Sequence, residues 1–188
     1  MKILIVYATT EGQTRRICQA CADSLIEAGH SVELLQASGE DAVDVARFDA
    51  AILAASLHMR HYQKEMAHFV AGHAEALAHL PTLFLSVSLA IVGGDPQEVA
   101  DLDEIAQRFF EDTGWRPRRT EQIAGAFRFT QYDFLKSWAM RWVASQKGQA
   151  VDPHADTEYT DWAGLTALVT GWARNLDQYE TLDQTGRG

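Results

Sequence analysis

Thr9-Thr10-Glu11-Gly12-Gln13-Thr14 lies between a short apolar run and a helical pattern, and its residue types suit an anion. The amides at a helix start have no partner within the helix, and the helix dipole favours negative charge there. Thr9, Thr10 and Thr14 add hydroxyl donors, and Gly12 lets the backbone approach closely. The chemistry is that of a phosphate site, or else of a hydroxyl-rich helix cap without a ligand. No lysine stands in the loop, so it is not the lysine-bearing loop of nucleoside-triphosphate enzymes. Five of the seven histidines fall at positions 58, 61, 68, 73 and 79, but no i, i+4 ligand pair or helping carboxylate completes them. They are expected to be surface groups with no metal, and His58 or His61 remains a candidate acid or base. Cys18 and Cys21 sit on the core-facing stripe of the first helix, where a redox dithiol would need an exposed first cysteine. Two small buried residues are expected there.

These groups need elements to position them. Residues 3–7 form an apolar run suited to a strand buried on both faces. A helical pattern follows the polar turn and closes at Gly29. Further strands are predicted over residues 31–36, 49–56, 81–89 and 122–129, with helices over 62–80, 97–113 and 161–176, the last capped by Thr160 or Asp161. Alternating strands and helices imply an α/β protein whose five-stranded parallel sheet carries helices on both faces. Strand order 2-1-3-4-5 suits this spacing and places a ligand at the carboxyl ends of strands one, three and four. The loops at 8–14, 56–62 and 86–94 are therefore the candidate site. One domain is expected over residues 1–182, with a frayed tail at 183–188.

The chain has 188 residues, a formal charge of −10 and 47% hydrophobic residues, the composition of one globular domain. Such an acidic balance speaks against nucleic-acid binding. Too few cysteines for a disulfide framework, no signal peptide and no uninterrupted apolar span point to a cytoplasmic protein. The charge is uneven, however. Between Trp115 and Lys147 seven basic residues face two acids, and seven of the eighteen aromatics lie there, so the rest of the chain carries −15. Within this segment residues 131–147 suit a helix whose apolar stripe, with Phe134, Trp138 and Trp142, is bordered by Lys136, Arg141 and Lys147. Such a stripe fits either the interface of an anionic membrane or the protein's own body. Asp95 begins a stretch with five acids and no base up to Glu104, to which the sequence assigns no role.

The stretch Thr9 to Thr14 resembles the phosphate loop of the flavodoxin-like FMN proteins, with Glu11 in place of the central threonine. A carboxylate there would repel phosphate, which leaves residue 11 only its amide as a contact. The acidic variant is similar to that of the flavodoxin-like, quinone-dependent protoporphyrinogen oxidases of bacteria. Further stretches carry the same resemblance across almost the whole chain: Ala54-Ala55-Ser56, Arg60-His61-Tyr62, Ser86-Val87-Ser88-Leu89, Trp115-Arg116-Pro117, residues 123–129 and Tyr159-Thr160-Asp161-Trp162. The resemblance implies a flavodoxin-like fold with a helical insertion after strand five, at about residues 130–158. It implies FMN as cofactor, held by Thr9, Thr10, Glu11, Gly12, Gln13 and Thr14. Around the ring it implies Ser56, Leu57, His58, Met59, Arg60 and Tyr62, then Ser86, Val87, Ser88 and Leu89. Tyr62 either stacks on that ring or packs inward. Arg60 pairs with a substrate carboxylate, stabilises a reduced flavin or is simply solvated, and with His58 and His61 it is a catalytic candidate.

The implied reaction is oxidation of protoporphyrinogen IX to protoporphyrin IX, with menaquinone or ubiquinone as electron acceptor, at the cytoplasmic face of the inner membrane. Arg128, Phe134, Trp138, Arg141 and Trp142 are then the membrane or substrate contacts, and Arg116, Arg118, Arg119 or Arg128 a partner for the substrate's propionates. Two rival functions share the fold: a flavodoxin-type electron carrier and an FMN-dependent NAD(P)H:quinone reductase. Replacing Trp138 and Trp142 by alanine is expected to weaken binding to anionic liposomes without emptying the flavin site. Unchanged co-sedimentation of the double variant would count against a membrane role.

Overall fold

The computed structural model describes residues 1–38, 43–89, 91, 96–127 and 157–176. Its centre is β1, Lys2–Ala8, in which Ile3, Leu4, Ile5 and Val6 are fully buried. After Lys2 the strand is apolar because both faces are covered. Ile3, Ile5 and Tyr7 belong to one core with α1 (Gln13–Glu27) and α4 (Trp162–Arg174). Leu4, Val6 and Ala8 belong to the other, with α2 (Lys64–Ala78) and α3 (Pro96–Thr113). Cys18 and Cys21 lie inside the first core, and burial pushes both thiols up, that of Cys21 to about 12. They are packing residues, with no thiolate for redox chemistry at neutral pH.

Around β1 stand β2 (Ser31–Gln36), β3 (Ala50–Ser56), β4 (Thr82–Ser88) and β5 (Arg119–Ala124), all parallel, in the order β2-β1-β3-β4-β5. Ile5 pairs with Leu34 on one side and Ile52 on the other, and Leu53 pairs with Phe84. A single 3-10 turn, Val45–Arg47, stands in the described part of the crossover from β2 to β3. The outer strands are half exposed and carry charge, Glu33 of β2 paired with Arg47 of the 3-10 turn and Arg119 with Glu121 on β5, which discourages pairing with another sheet.

The fifth strand corrects the sequence-based expectation. It begins at Arg119 and ends at Ala124, three residues and more ahead of the predicted 122–129. An edge strand needs little apolar content, so the apolar run Ile123 to Phe129 was a misleading guide to its bounds. Gly125 donates its amide to the Ser88 carbonyl (3.1 Å), and the chain then leaves the sheet as β6, Ala126–Phe127. This pairs antiparallel with β7, Thr157–Glu158, in a separate two-stranded ladder. The predicted helix at 131–147 and the tail at 183–188 lie outside the described residues. Asp161 caps α4, its carboxylate accepting from the Gly164 amide at 2.9 Å, which decides between the two predicted caps.

On the α2/α3 side, Phe84 stands at the middle of an aromatic cluster, with ring centroids 5.3 Å from Tyr62, 5.6 Å from Phe109, 5.3 Å from Phe110 and 6.3 Å from Trp115. It is fully buried, so Phe84→Ala leaves a cavity and is expected to destabilise the protein by about 3–5 kcal/mol. Thermal denaturation checks this, with a fall in Tm of roughly 10 °C expected.

Candidate functional site

Helix α1 starts in an unusual way for an unliganded helix. Its cap residue is Gly12, in the left-handed region at φ 86°, and no side chain caps it. A side chain at Gly12 would meet open space, so the requirement there is conformational rather than steric. The Gly12 amide donates to Thr9 Oγ1 at 2.9 Å, which folds the loop back on itself. Thr14 is fully buried, and its hydroxyl has no hydrogen-bond partner. A buried hydroxyl left unpaired costs about 1–3 kcal/mol, and a phosphate oxygen would satisfy it. The first turn contains no acid, and its Arg15 adds to the positive end of the helix dipole. These observations fit a phosphate-bearing ligand better than a self-contained cap.

Gln13 behaves differently from its loop neighbours. Its side-chain amide donates to Glu158 Oε1 (2.6 Å) and to Thr160 Oγ1 (3.0 Å), and Thr160 in turn donates to the Ala124 carbonyl. Arg16 pairs with the same Glu158 at 2.8 Å and lies 5.6 Å above the Trp162 ring. The Gln13 side chain therefore ties α1 to β7 and the start of α4, leaving only its amide to face a ligand. Glu158 and Arg16 were missed by sequence reasoning, and Thr160 was singled out only as a helix cap and within a longer stretch, because a contact across more than 140 positions leaves no mark in local spacing.

The loops after β3 and β4 are bound to the first loop and to each other. Gln63, just ahead of α2, donates to Thr10 Oγ1 (3.2 Å) and to Ser56 Oγ. The Leu57 amide donates to the Val87 carbonyl at 2.8 Å. Gln63 is another residue the sequence did not single out; its side-chain carbonyl is buried without a partner. An open cleft of about 610 Å³ lies beside it, bounded by Thr9, Thr10, Gln36, Ser38, Gln63 and Glu65. Of the two alternatives for Tyr62, the structure takes the inward one. Its ring stands edge-on to Phe84 and Phe109, its hydroxyl donates to Ser86 Oγ at 2.8 Å, and burial pushes its pKa up to about 12. Ser86, Val87 and Ser88 are buried within β4, while Leu89 is half-buried just beyond it.

Residues 58–61 form a tight hairpin in which His58 and His61 exchange backbone hydrogen bonds of 2.9 and 3.0 Å. Its two central residues, Met59 (φ 49°) and Arg60 (φ 65°), are both left-handed. Such turns normally take Asn-Gly, and each larger side chain there stores of order 1–3 kcal/mol of strain. Met59 is 76% exposed at the tip. Arg60 Nη1 reaches Asp101 Oδ2 on α3 at 3.0 Å, and Gln97 donates to the other carboxylate oxygen at 3.2 Å. The Arg60 hydrogen bond, then that of Gln97, holds the Asp101 carboxyl below its ordinary range. The acidic stretch thus acquires partners: Asp101 with Arg60, Asp103 with Gln122 and Glu104 with Arg108. Among the described residues no group of three His, Cys, Asp or Glu could hold a metal ion, and no helix is long and apolar enough to cross a membrane. Arg118 and Arg119 lie at the head of β5, opposite the loops, and Arg119 is paired with Glu121. Arg128, Phe134, Trp138, Arg141 and Trp142 lie outside the described residues.

A parallel sheet of this order, with the loops after β1, β3 and β4 gathered at one end, defines a flavodoxin-like α/β protein. The flavodoxin domain model matches residues 4–153, and the chain belongs to that family. Its curated relatives include the protoporphyrinogen IX dehydrogenase (quinone) of Escherichia coli K12, 30% identical over 177 residues that cover 94% of each chain. The enzyme of the same name from Leishmania major is 24% identical, over 92% of this chain and 74% of its own. Among solved structures, a cysteine-to-serine mutant of Pseudomonas aeruginosa flavodoxin aligns with a TM-score of 0.50 at 15% identity, over 79% of this chain and all of that one. Oxidised flavodoxin 2 of Bacillus cereus gives 0.50 at 19% identity, over 77% and 97%. These two likenesses concern the fold.

The unpaired Thr14 hydroxyl separates ligand binding from stability. Thr14→Val removes a buried unsatisfied group, so the flavin-free protein is expected to be as stable as the wild type or more so, while flavin affinity falls about tenfold. Thermal denaturation of the apoprotein and quenching of flavin fluorescence measure the two effects separately.

Proposed function

We propose that this protein oxidises protoporphyrinogen IX to protoporphyrin IX, with FMN as its flavin and a membrane quinone, menaquinone or ubiquinone, as electron acceptor. The observation that carries the reading is the 30% identity to the Escherichia coli dehydrogenase across 94% of both chains. That alignment of 177 residues is longer than the 4–153 flavodoxin match, so it is not accounted for by the shared domain alone. An electron carrier would need only the domain.

The phosphate of FMN is assigned to the α1 start, where Gly12 opens the backbone and Thr9, Thr10 and Thr14 offer hydroxyls, with the amides of Glu11 and Gln13 nearby. The flavin, when bound, supplies a two-electron acceptor for hydrogen leaving the porphyrinogen and a donor to the quinone. Ser56, Leu57, the 58–61 hairpin and Leu89, at the ends of β3 and β4, are the residues that would hold the ring. The Tyr62 hydroxyl, bonded to Ser86 and pushed up to about 12 in pKa, stays protonated and holds the hairpin's base against β4. His58 and His61 lie at the hairpin, where they or water take the released protons. Six electrons and six protons leave the substrate in three two-electron steps, and three quinones become quinols.

The insertion at about residues 130–158, with Arg128 just ahead of it, completes the assignment. The bases and aromatics here, Arg128, Phe134, Trp138, Arg141 and Trp142, are assigned to the anionic membrane surface that holds the quinone, or to the substrate, and the protein is placed on the cytoplasmic face of that membrane. The test gives FMN-loaded protein protoporphyrinogen IX with a quinone, or NADPH with the same quinone, and follows porphyrin fluorescence and absorbance. A quinone-dependent rise in porphyrin is expected. No gain above autoxidation would sink the reading, and quinone reduction by NADPH instead would favour a reductase.

A further inference from the structure

We propose that Arg60 is a carboxylate clamp for the substrate, held in readiness by Asp101. The inference rests on the reading of a dicarboxylic porphyrinogen substrate given above. Its starting point is the hairpin at the carboxyl end of β3, where Arg60 is kept at φ 65° beside a second left-handed residue, Met59. Strain at such positions persists when the surroundings over-determine it, and it gathers where a side chain must be presented in one direction. Here the direction is outward, over the sheet edge that also carries the α1 start, toward the first turns of α3. Asp103 and Glu104 on the same helix face other partners, Gln122 and Arg108, so Arg60 and Asp101 form a separate pair.

The pair has the character of a latch rather than a girder. Arg60 engages Asp101 through Nη1 alone, and the side chains are 56% and 40% exposed. A one-toothed, solvated ion pair contributes little, and a guanidinium has further donors to offer. A free carboxylate that approaches in the guanidinium plane makes a two-toothed, stronger contact. Asp101 keeps Gln97 as a partner after such an exchange, so its charge is not left bare. The chain as a whole carries −10, which repels a dicarboxylate and makes one defined cation at the loop edge valuable for binding it. Arg16, on the first turn of α1, is already engaged by Glu158 and Trp162.

The test is equilibrium binding of protoporphyrin IX and of its dimethyl ester to FMN-loaded protein, followed by porphyrin fluorescence, and it does not depend on turnover. Wild type is expected to bind the free acid more tightly than the ester. Arg60→Met is expected to weaken the free acid about tenfold and leave the ester unchanged, with Arg60→Lys in between. Asp101→Asn removes the competing carboxylate and is expected to tighten the free acid a few-fold. A purely structural ion pair predicts the opposite, loss of binding in both Arg60→Met and Asp101→Asn and equally for acid and ester, and that result would overturn the clamp. Flavin absorbance of each variant verifies that the fold is retained. If Arg60 governs acid binding but wild type forms no porphyrin with quinone, the clamp stands and the oxidation reading falls.

Discussion

A parallel sheet delivers the carboxyl ends of all its strands to one edge, and everything functional in this protein depends on that constraint. The chain steps outward from β1 to β2, crosses back over β1 to β3, and continues to β4 and β5. Loops leaving β1 and β3 therefore diverge to opposite faces and open a crevice between them. Burial on both faces fixes β1 in the middle, since Ile3 and Ile5 are needed by one core and Leu4 and Val6 by the other. A register slip of one residue would exchange the two sets, so the strand that leads into the Thr9–Thr14 loop cannot move.

Hydrogen bonds then convert three adjacent loops into one surface. Gln63 spans the first and second, the Leu57 amide and the Tyr62 hydroxyl join the second to β4, and Gly125 joins β4 to the turn after β5. Behind them the rings of Tyr62, Phe84, Phe109, Phe110 and Trp115 fill the α2/α3 core. The site is thus rigid at its base and strained at its tip. Met59 and Arg60 hold left-handed conformations only because the His58–His61 bridge and the packed Tyr62 leave the hairpin no easier path.

Much of this was legible from sequence where one signal dominates. The strands at 31–36, 49–56 and 81–89 lie within a residue of those observed, because an apolar run flanked by turn residues has few other uses in a protein of this size. The helix start at Gly12 was legible because the glycine and the threonines stand directly behind such a run. Signals failed where partners are distant or where two uses share one residue type. The bounds of β5 followed its apolar residues rather than its edge position. Tyr62 suited a ring or a core equally, and only the space beside Phe84 decides. Asp101 looked like one acid among five until α3 turned it toward Arg60. Glu158 and Gln63 carried no local signal at all.

The ladder of β6 and β7 has a further meaning for how such a protein changes over time. Ala126 faces Glu158 and Phe127 faces Thr157, so the chain leaves the body and returns to it at neighbouring points. The return is anchored on α1 through Gln13 and Arg16, both bonded to Glu158. Closing a longer or shorter loop between fixed ends changes the folding free energy only logarithmically with length. The number of residues between the two strands of the ladder can therefore vary at small cost to stability, while the sheet and the start of α1 keep the same anchors.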